Sequence, residues 1–344
     1  MDTVTVAHEE IASEEFRAAL EGCAVINENW RVRLRVTGSD AARWLNGMLT
    51  NTATLEDGAG NYSFLLNAQG RLQGDAYLFR EGAEFLLETS AAQQEKISQW
   101  LDHYIIMDDV ALAPETHRTA TLAVAGPSAI ALLTRLNVTN ATIDDLPPLS
   151  LRRLRIGKVE AVAVKDDVCC VPCIHLWHDP AHSRELQDAL VSAGAVPAGA
   201  DTWELLRIAS GVPLYGVDMA DRDLAQETSQ TRALHFSKGC YLGQEIVERI
   251  RSRGQVHRGW RGFTSEEELH AGAEIFAAGK AIGKLTSVAQ LPLANGHKYA
   301  GLGIVRLQPL EEKAPLESQG AALHPTPLPF ARITDNDNRS RKNG

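Results

Sequence analysis

The sequence predicts an α+β fold that ends in a small all-β unit, and three observations carry the prediction. From Trp30 to Val36 apolar and basic residues alternate, the period-two pattern of a half-buried strand. Directly after it, Ala41, Trp44, Leu45 and Met48 fall at helical spacing. After Gly254 the texture changes to short β-like runs at close intervals: Trp260 to Phe263, Glu274 to Phe276, Gly283 to Val288 and Tyr299 to Val305. With 344 residues, 44% hydrophobic and 23% charged, the chain has room for two or three globular domains.

The elements follow in order. Thr37-Gly38-Ser39-Asp40 supplies turn and N-cap chemistry between the first strand and the first helix. Asn61 to Leu66 and Leu72 to Phe79 then flank Asn67-Ala68-Gln69-Gly70-Arg71, whose Asn and Gly suit a tight antiparallel reversal. Ala91 to His103 reads as an amphipathic helix, with Ile97 and Leu101 four apart. Beyond Pro147-Pro148, Leu151 to Val164 resumes strand alternation around a Gly157-Lys158 turn. Pro180 to Ala193 and Trp203 to Ala209 read as helices, the second ending before Gly211-Val212-Pro213. From Asp335 to Gly344 every residue is polar or Gly, the composition of a frayed tail.

Charge and cysteine usage narrow the function classes. The net charge is 34 − 44 = −10, which disfavours non-specific duplex binding, because that depends on Lys and Arg neutralising phosphates. No direct nucleic-acid partner is expected. Met1 to Phe16 is acidic where a secretory signal would be basic and then apolar, and the longest uncharged stretch, Thr119 to Thr134, is too short for a membrane span. Neither a membrane nor an exported compartment is expected; the chain reads as cytoplasmic. Five cysteines, an odd count in a chain of this length, argue for reduced thiols over a disulfide framework.

Three constellations could carry chemistry. The sharpest is Lys238-Gly239-Cys240-Tyr241-Leu242-Gly243-Gln244-Glu245, which runs into Ile246-Val247-Glu248-Arg249-Ile250. Leu242, Ile246 and Ile250 recur every four residues and Glu245 with Arg249 makes an i,i+4 pair, so a helix is expected from near Tyr241, with Cys240 capping it. There the helix terminus and Lys238 would favour a thiolate able to attack an electrophile or ligate a metal. The alternative is a small buried cysteine packing as a hydrophobe.

The second constellation is Cys169, Cys170 and Cys173 followed by His175, His178 and His182, whose spacings imitate zinc or copper ligand pairs. Val168 to Trp177 is apolar enough for a buried strand, on which Cys169 and Cys170 would point to opposite faces. The preferred reading is therefore core cysteines and histidines at the start of a surface helix, with no metal. The third is Asp75, a general base or a hydrogen-bond acceptor if it lines a cleft, and otherwise a solvated strand residue. Gly58, Gly60, Gly70 and Gly74 form neither a Rossmann turn nor a P-loop, and no Gly-x-Ser-x-Gly elbow is present.

Taken together, these residues resemble the YgfZ family of folate-binding proteins of iron-sulfur protein maturation, within the glycine-cleavage T-protein (aminomethyltransferase) superfamily. The segment from Lys238 to Glu245 looks like that family's signature around its functional cysteine. Supporting segments are Val36 to Ala41, Leu45-Asn46-Gly47, Leu66 to Arg71, Leu206-Arg207-Ile208, Gly211 to Asp218 and Gly283 to Ser287, covering residues 25 to 330. The resemblance implies two interleaved α+β lobes around a central folate-sized cleft plus a small C-terminal β-barrel. It divides the chain into an extension (1–24), a folate-binding region (25–253), a barrel (254–332) and a tail (333–344).

It further implies tetrahydrofolate or another reduced folate as cofactor, with Asn67, Arg71, Asp75, Arg207, Tyr215, Lys238, Gln244 and Glu245 as binding residues and Cys240 and Asp75 as reactive groups. Implied partners are iron-sulfur client proteins or assembly factors, with tRNA modification affected only indirectly. The alternative activity is that of a tetrahydrofolate-dependent aminomethyltransferase with Asp75 as its acid-base residue. Two departures stand out. Gly74 and Asp75 fall where aminomethyltransferases typically carry two aspartates, and Ala209 falls where the superfamily commonly has a pterin-pairing Glu.

Overall fold

The computed structural model describes residues 14–136, 143–254, 256–293, 296 and 298–330. The polar stretch from Asp335 expected to fray lies outside the described residues. A helix over residues 14–21 (α1) leads into β1 (Ala24–Asn27). The chain then departs to build β2 (Arg31–Thr37), α2 (Ala41–Met48), β3 (Gly60–Leu66), β4 (Leu72–Glu81), β5 (Glu84–Ser90), α3 (Ala91–His103) and β6 (Ala111–Pro114). It returns beside β1 as β7 (Ala120–Ala125), followed by α4 (Ala129–Arg135), β8 (Leu151–Ile156), β9 (Val159–Lys165), β10 (Cys173–His178), α5 (Ser183–Ser192), β11 (Val196–Ala198) and α6 (Ala200–Ser210).

This route interleaves two lobes. One holds the antiparallel sheet β3-β4-β5-β2-β6, and the other holds β11-β1-β7-β10-β9-β8, in which only β1 with β11 is parallel. The expected hairpins appear, one turning through residues 67–71 and one at Gly157-Lys158. Side-chain alternation sorts the cores. From β7 and β10, Leu122, Val124, Ile174 and Leu176 face Leu132, Leu133, Leu186 and Leu190 of α4 and α5. The opposite face carries Ala123, Ala125 and Cys173 against Leu206 and Ile208 of α6 and Trp260 of the C-terminal unit. In the other lobe Trp44, Leu45, Ile97 and Leu101 cover Leu34, Val36, Leu78 and Leu87. Each such large side chain contributes about 1.5–3 kcal/mol when fully buried.

Helix α7 (Gln244–Arg253) leads to the C-terminal strands β12 (Arg258–Ser265), β13 (Glu274–Ala277), β14 (Lys280–Lys284), β15 (Ser287–Gln290), β16 (Tyr299–Arg306), β17 (Leu316–Ser318) and β18 (Ala321–Thr326). Pairing of β12 with both β18 and β16 closes the sheet into a six-stranded barrel, with β15 added on β16. The expected single run from Gly283 to Val288 is divided, because Leu285 and Thr286 stand between two strands that pair with different stretches of β16. The α+β body with a C-terminal β-barrel predicted from the sequence is the fold observed.

Three local expectations are corrected. Strand β10 begins at Cys173, so Cys169 and Cys170 lie in the preceding loop, which Asp166 folds by accepting the N–H groups of Val168 and Cys169. His175 and His178 are buried strand residues; only His182 stands at the start of the helical turn before α5. Helix α7 starts at Gln244, with Gly243 at φ +82° as its N-cap, so Cys240 precedes the helix by a loop and does not cap it.

Candidate functional site

Where the two lobes meet α6, a cavity of about 120 Å³ opens to one side. Its floor is β4. Asp75 sits mid-strand with its backbone N–H held by Gln93 Oε1 of α3 at 3.1 Å. Its Oδ2 accepts the Tyr62 hydroxyl at 2.6 Å and its Oδ1 accepts Gln93 Nε2 at 2.7 Å. Gly74 gives α3 room to come this close: a Cβ there would lie 3.0 Å from Ile97 and 3.1 Å from Gln93 Oε1. Burial pushes the Asp75 carboxyl above its ordinary value, against the lowering effect of its two donors and of Arg232. Asp75 is thus a half-buried, oriented carboxylate on a cavity wall, the first of the two readings its sequence left open.

The walls are aromatic and cationic. Trp30, Tyr77 and Trp203 line the cavity, as do Arg31, Arg207 and Arg232. Arg232 lies 4.0 Å from the Tyr62 ring centroid and donates to Asp167 at 2.6 Å and to the Tyr77 hydroxyl at 3.2 Å. Arg207 is braced by Glu204, Asp218, Ser287 and the Val212 carbonyl, tying α6 to the barrel. Behind the cavity runs a buried ionic chain: Arg33 and Arg31 bind Glu88 at 2.6 and 2.8 Å, Arg31 binds Glu28, and His175 bridges Glu28 at 2.6 Å and Asp166 at 3.1 Å. Although burial opposes charge on the ring, Glu28 lifts His175 to about 9. His178 is held by the Leu176 carbonyl and Ser183. The cysteine-histidine metal centre has no support: among the described residues no group of three or more His, Cys, Asp or Glu is arranged to hold a metal ion.

Of the nine binding or reactive residues implied by the resemblance, Asp75 and Arg207 line this cavity and seven others do not. Asn67 is engaged in its own turn, its Oδ1 accepting the N–H groups of Gln69 and Arg71. Arg71 donates to the Arg222 carbonyl and borders a separate groove beside the barrel. Tyr215 receives Lys96 Nζ at 2.6 Å and pairs with Asp221. Glu245 is exposed, and the ion pair on α7 joins Glu248 to Arg251 in place of the expected Glu245 with Arg249. Ala209, 1% exposed, lies in the core between α6 and the barrel and not on the cavity wall.

The segment from Lys238 to Gln244 is clamped between α2 and the 67–71 turn. Lys238 Nζ donates to the Leu49 and Asn51 carbonyls at 2.6 Å each, and Leu242 N–H donates to the Gly47 carbonyl at 3.0 Å. Gly243 abuts the turn so closely that a Cβ would stand 2.6 Å from the Asn67 carbonyl oxygen. Gly70 meets Ile246 in the same way. Burial, with no carboxylate beside it, pushes Lys238 down to about 7, so it is aimed at main-chain carbonyls and only partly charged at neutral pH. The helix terminus expected beside Cys240 lies at Gln244, and Lys238 is turned to the main chain. Cys240 is exposed on the loop before α7, and Gln244 is half-buried at the first turn of α7. A polar path joins this loop to the cavity: Asn51, whose carbonyl holds Lys238, donates to the carbonyls of Tyr62 and Arg232.

Sequence reasoning missed most of the cavity. Tyr62, Gln93, Asp166 and Arg232 come from a strand, a helix, a loop and a 3-10 turn, and none stands in a motif. Period-two register places Tyr62 and Asp75 on the same face of adjacent strands, and that was the available signal.

The GCVT N-terminal domain family matches residues 5–238, and the C-terminal β-barrel domain family of CAF17 matches residues 258–332. The chain is 26% identical over 292 residues to a protein of Arabidopsis thaliana named as a chloroplastic transferase, covering 83% of this chain and 66%, just under two thirds, of that one. It is 27% identical over 310 residues to an aminomethyltransferase of Rubrobacter xylanophilus, covering 87% and 81%, and 28% identical over 332 residues to one of Thermus thermophilus, covering 93% and 90%. The crystal structure of the glycine cleavage system aminomethyltransferase T from Bartonella henselae superimposes with a TM-score of 0.81 at 19% identity, covering 94% of this chain and 90% of that chain, a likeness of fold.

Proposed function

We propose, from the premise that this chain belongs to the GCVT N-terminal domain family in its YgfZ/CAF17 branch, that it is a folate-binding protein whose cavity takes the pterin of a reduced folate and whose Cys240 assists assembly or repair of iron-sulfur clusters in client proteins. The observation that carries the folate half is Asp75: a half-buried carboxylate, fixed by Tyr62 and Gln93, beside three aromatic side chains. A bicyclic heteroaromatic ring with adjacent N–H donors suits such a site, since its faces stack on Trp and Tyr and its edge meets an acceptor. The donor set therefore fits the cofactor. Asp75 would orient the ring, Trp30, Tyr77 and Trp203 would exclude water from its faces, and Arg31, Arg207 and Arg232 would meet the acidic tail. A reduced folate supplies an amine that can carry a one-carbon unit.

Cys240 supports the second half by its position. It is exposed, outside the cavity, and its loop is pinned on both sides, so a partner protein can reach the thiol without entering the ligand site. The five free thiols suit a reducing compartment, the cytosol or an organelle matrix such as that of the chloroplastic relative. No described helix is long and apolar enough to cross a membrane.

A second reading is aminomethyl transfer, the activity in the names of the Rubrobacter and Thermus relatives. It is favoured by the raised proton affinity of Asp75, a property useful in an acid-base group. Replacing Cys240 by Ser and Asp75 by Asn in cells separates the readings. Loss of client cluster content in Cys240→Ser supports cluster work. Unchanged clusters in that strain, with ammonia release from an aminomethyl-loaded carrier abolished in Asp75→Asn, would overturn it in favour of transfer.

A further inference from the structure

The wall between the ligand cavity and a second opening beside the barrel contains a cluster of three thiols. Val168, Cys169, Ser210, Val212 and Arg232 border both spaces. Cys169 and Cys170 pack with the buried Cys173 in one cluster, and the Cys169 thiol interacts with those of both Cys170 and Cys173. Their loop is closed at its base, where Asp166 N–H donates to the Cys173 carbonyl at 3.0 Å. Cys170 is tied down on two sides: its N–H donates to Ser210 Oγ at 2.9 Å and its thiol lies 3.9 Å from the Leu206 carbonyl on α6.

The geometry points to a second thiol site, independent of Cys240, in which Cys169 reacts with a low-molecular-weight disulfide arriving through either opening and Cys173 resolves the adduct into a Cys169–Cys173 bridge. The steps balance without a further reagent. The Cys169 thiolate forms a bond to one sulfur of the reagent, its S–S bond breaks, and the other half leaves as a thiolate that takes a proton. The Cys173 thiolate then attacks the Cys169 sulfur, the mixed disulfide breaks, and the second half leaves as thiol. The reagent is reduced and the protein dithiol oxidised.

The division of labour follows from access. Cys169 is the sulfur on the cavity wall, whereas Cys173 is 2% exposed at the start of β10 and meets incoming reagent only through Cys169. Bridging adjacent Cys169 and Cys170 would force an eight-membered ring and break the ties of Cys170 to α6, so the partner is Cys173. Cys170 lowers and Cys173 raises the Cys169 thiol, and burial adds to the rise at both Cys169 and Cys173, so exchange is slow at neutral pH and accelerates as pH rises. Because no environment stabilises the thiolates, the bridge once formed resists mild reductants. Oxidation would thus tighten the loop that follows Asp166 on the cavity wall and Asp167 at the second opening.

The test uses full-length Cys240→Ser protein, 2-hydroxyethyl disulfide as probe, alkylation of remaining thiols and peptide mass spectrometry. The expected result is a cross-link between Cys169 and Cys173, formed roughly tenfold faster per pH unit between neutral and mildly alkaline solution. In the further variant Cys173→Ser the reaction should stop at an adduct on Cys169. Cys169 that stays unmodified in folded protein through prolonged exposure to the probe in mildly alkaline solution, or a bridge to Cys170, would overturn the proposal.

Discussion

The Tyr62 hydroxyl donates to the Asp75 carboxylate at 2.6 Å across neighbouring strands, and this bond orients the one acid that the cavity floor presents. Removing the donor with Tyr62→Phe leaves a buried oxygen short of a partner, at a cost of about 1–3 kcal/mol. The measurement is chemical denaturation at neutral pH, and an unchanged midpoint would mean that the bond does not form.

Asp75 itself opposes stability at neutral pH. Its folded proton affinity is raised above the unfolded value, so folding is unhindered at low pH and is penalised as pH rises through the folded pKa. Asp75→Asn can keep both hydrogen bonds, with Tyr62 turned to accept. Its melting temperature should exceed that of the wild type at pH 7, and the gap should close on acidification.

His175 behaves in the opposite sense. Its folded pKa of about 9 lies above the ordinary 6.5, so its ion pairs with Glu28 and Asp166 contribute fully below pH 6.5 and fade as pH rises toward 9. The difference in melting temperature between wild type and His175→Gln should shrink across that window. A difference that stays constant would remove His175 as the titrating group.

Gly243 docks the cysteine loop on the 67–71 turn. Gly243→Ala places a side chain at φ +82° and 2.6 Å from the Asn67 carbonyl, costing about 1–3 kcal/mol from the backbone conformation alone. Alkylation of Cys240 should change rate in this variant, because its loop is released, while Cys23 stays protected.

Ala209→Glu tests the departure visible in the sequence. A carboxylate introduced into the core between α6 and Trp260 is an uncompensated buried charge, expected to destabilise by about 3–5 kcal/mol. Calorimetry with tetrahydrofolate should show no gain in affinity. Tighter binding would mean that the side chain reaches the cavity.

Much of the architecture was legible because it rests on local periodicity. Trp30 to Val36, the 67–71 turn and Ala91 to His103 carry their pattern within a few residues. Strands β1, β5 and β7 were not read from the sequence, since Ala24 to Asn27 and Ala120 to Ala125 are short apolar runs without alternation and are buried on both faces. Cys240 was expected to cap the helix because the Leu242, Ile246, Ile250 spacing extends about one turn too far toward the N-terminus; Gly243 in the left-handed region delays the helix start to Gln244. The cavity was barely legible: Tyr62, Asp75, Gln93 and Arg232 meet only through tertiary pairing. Asn67, Arg71 and Tyr215 stood out in the sequence for resemblance, yet their side chains hold turns and surface contacts.

Titration of the purified full-length protein with tetrahydrofolate, wild type against Asp75→Asn, tests the central claim most directly. Saturable binding by the wild type, weakened at least about tenfold, or 1.4 kcal/mol, in a variant no less stable, is the predicted result. Absence of wild-type binding, or equal affinity in both proteins, would contradict a folate site built on Asp75.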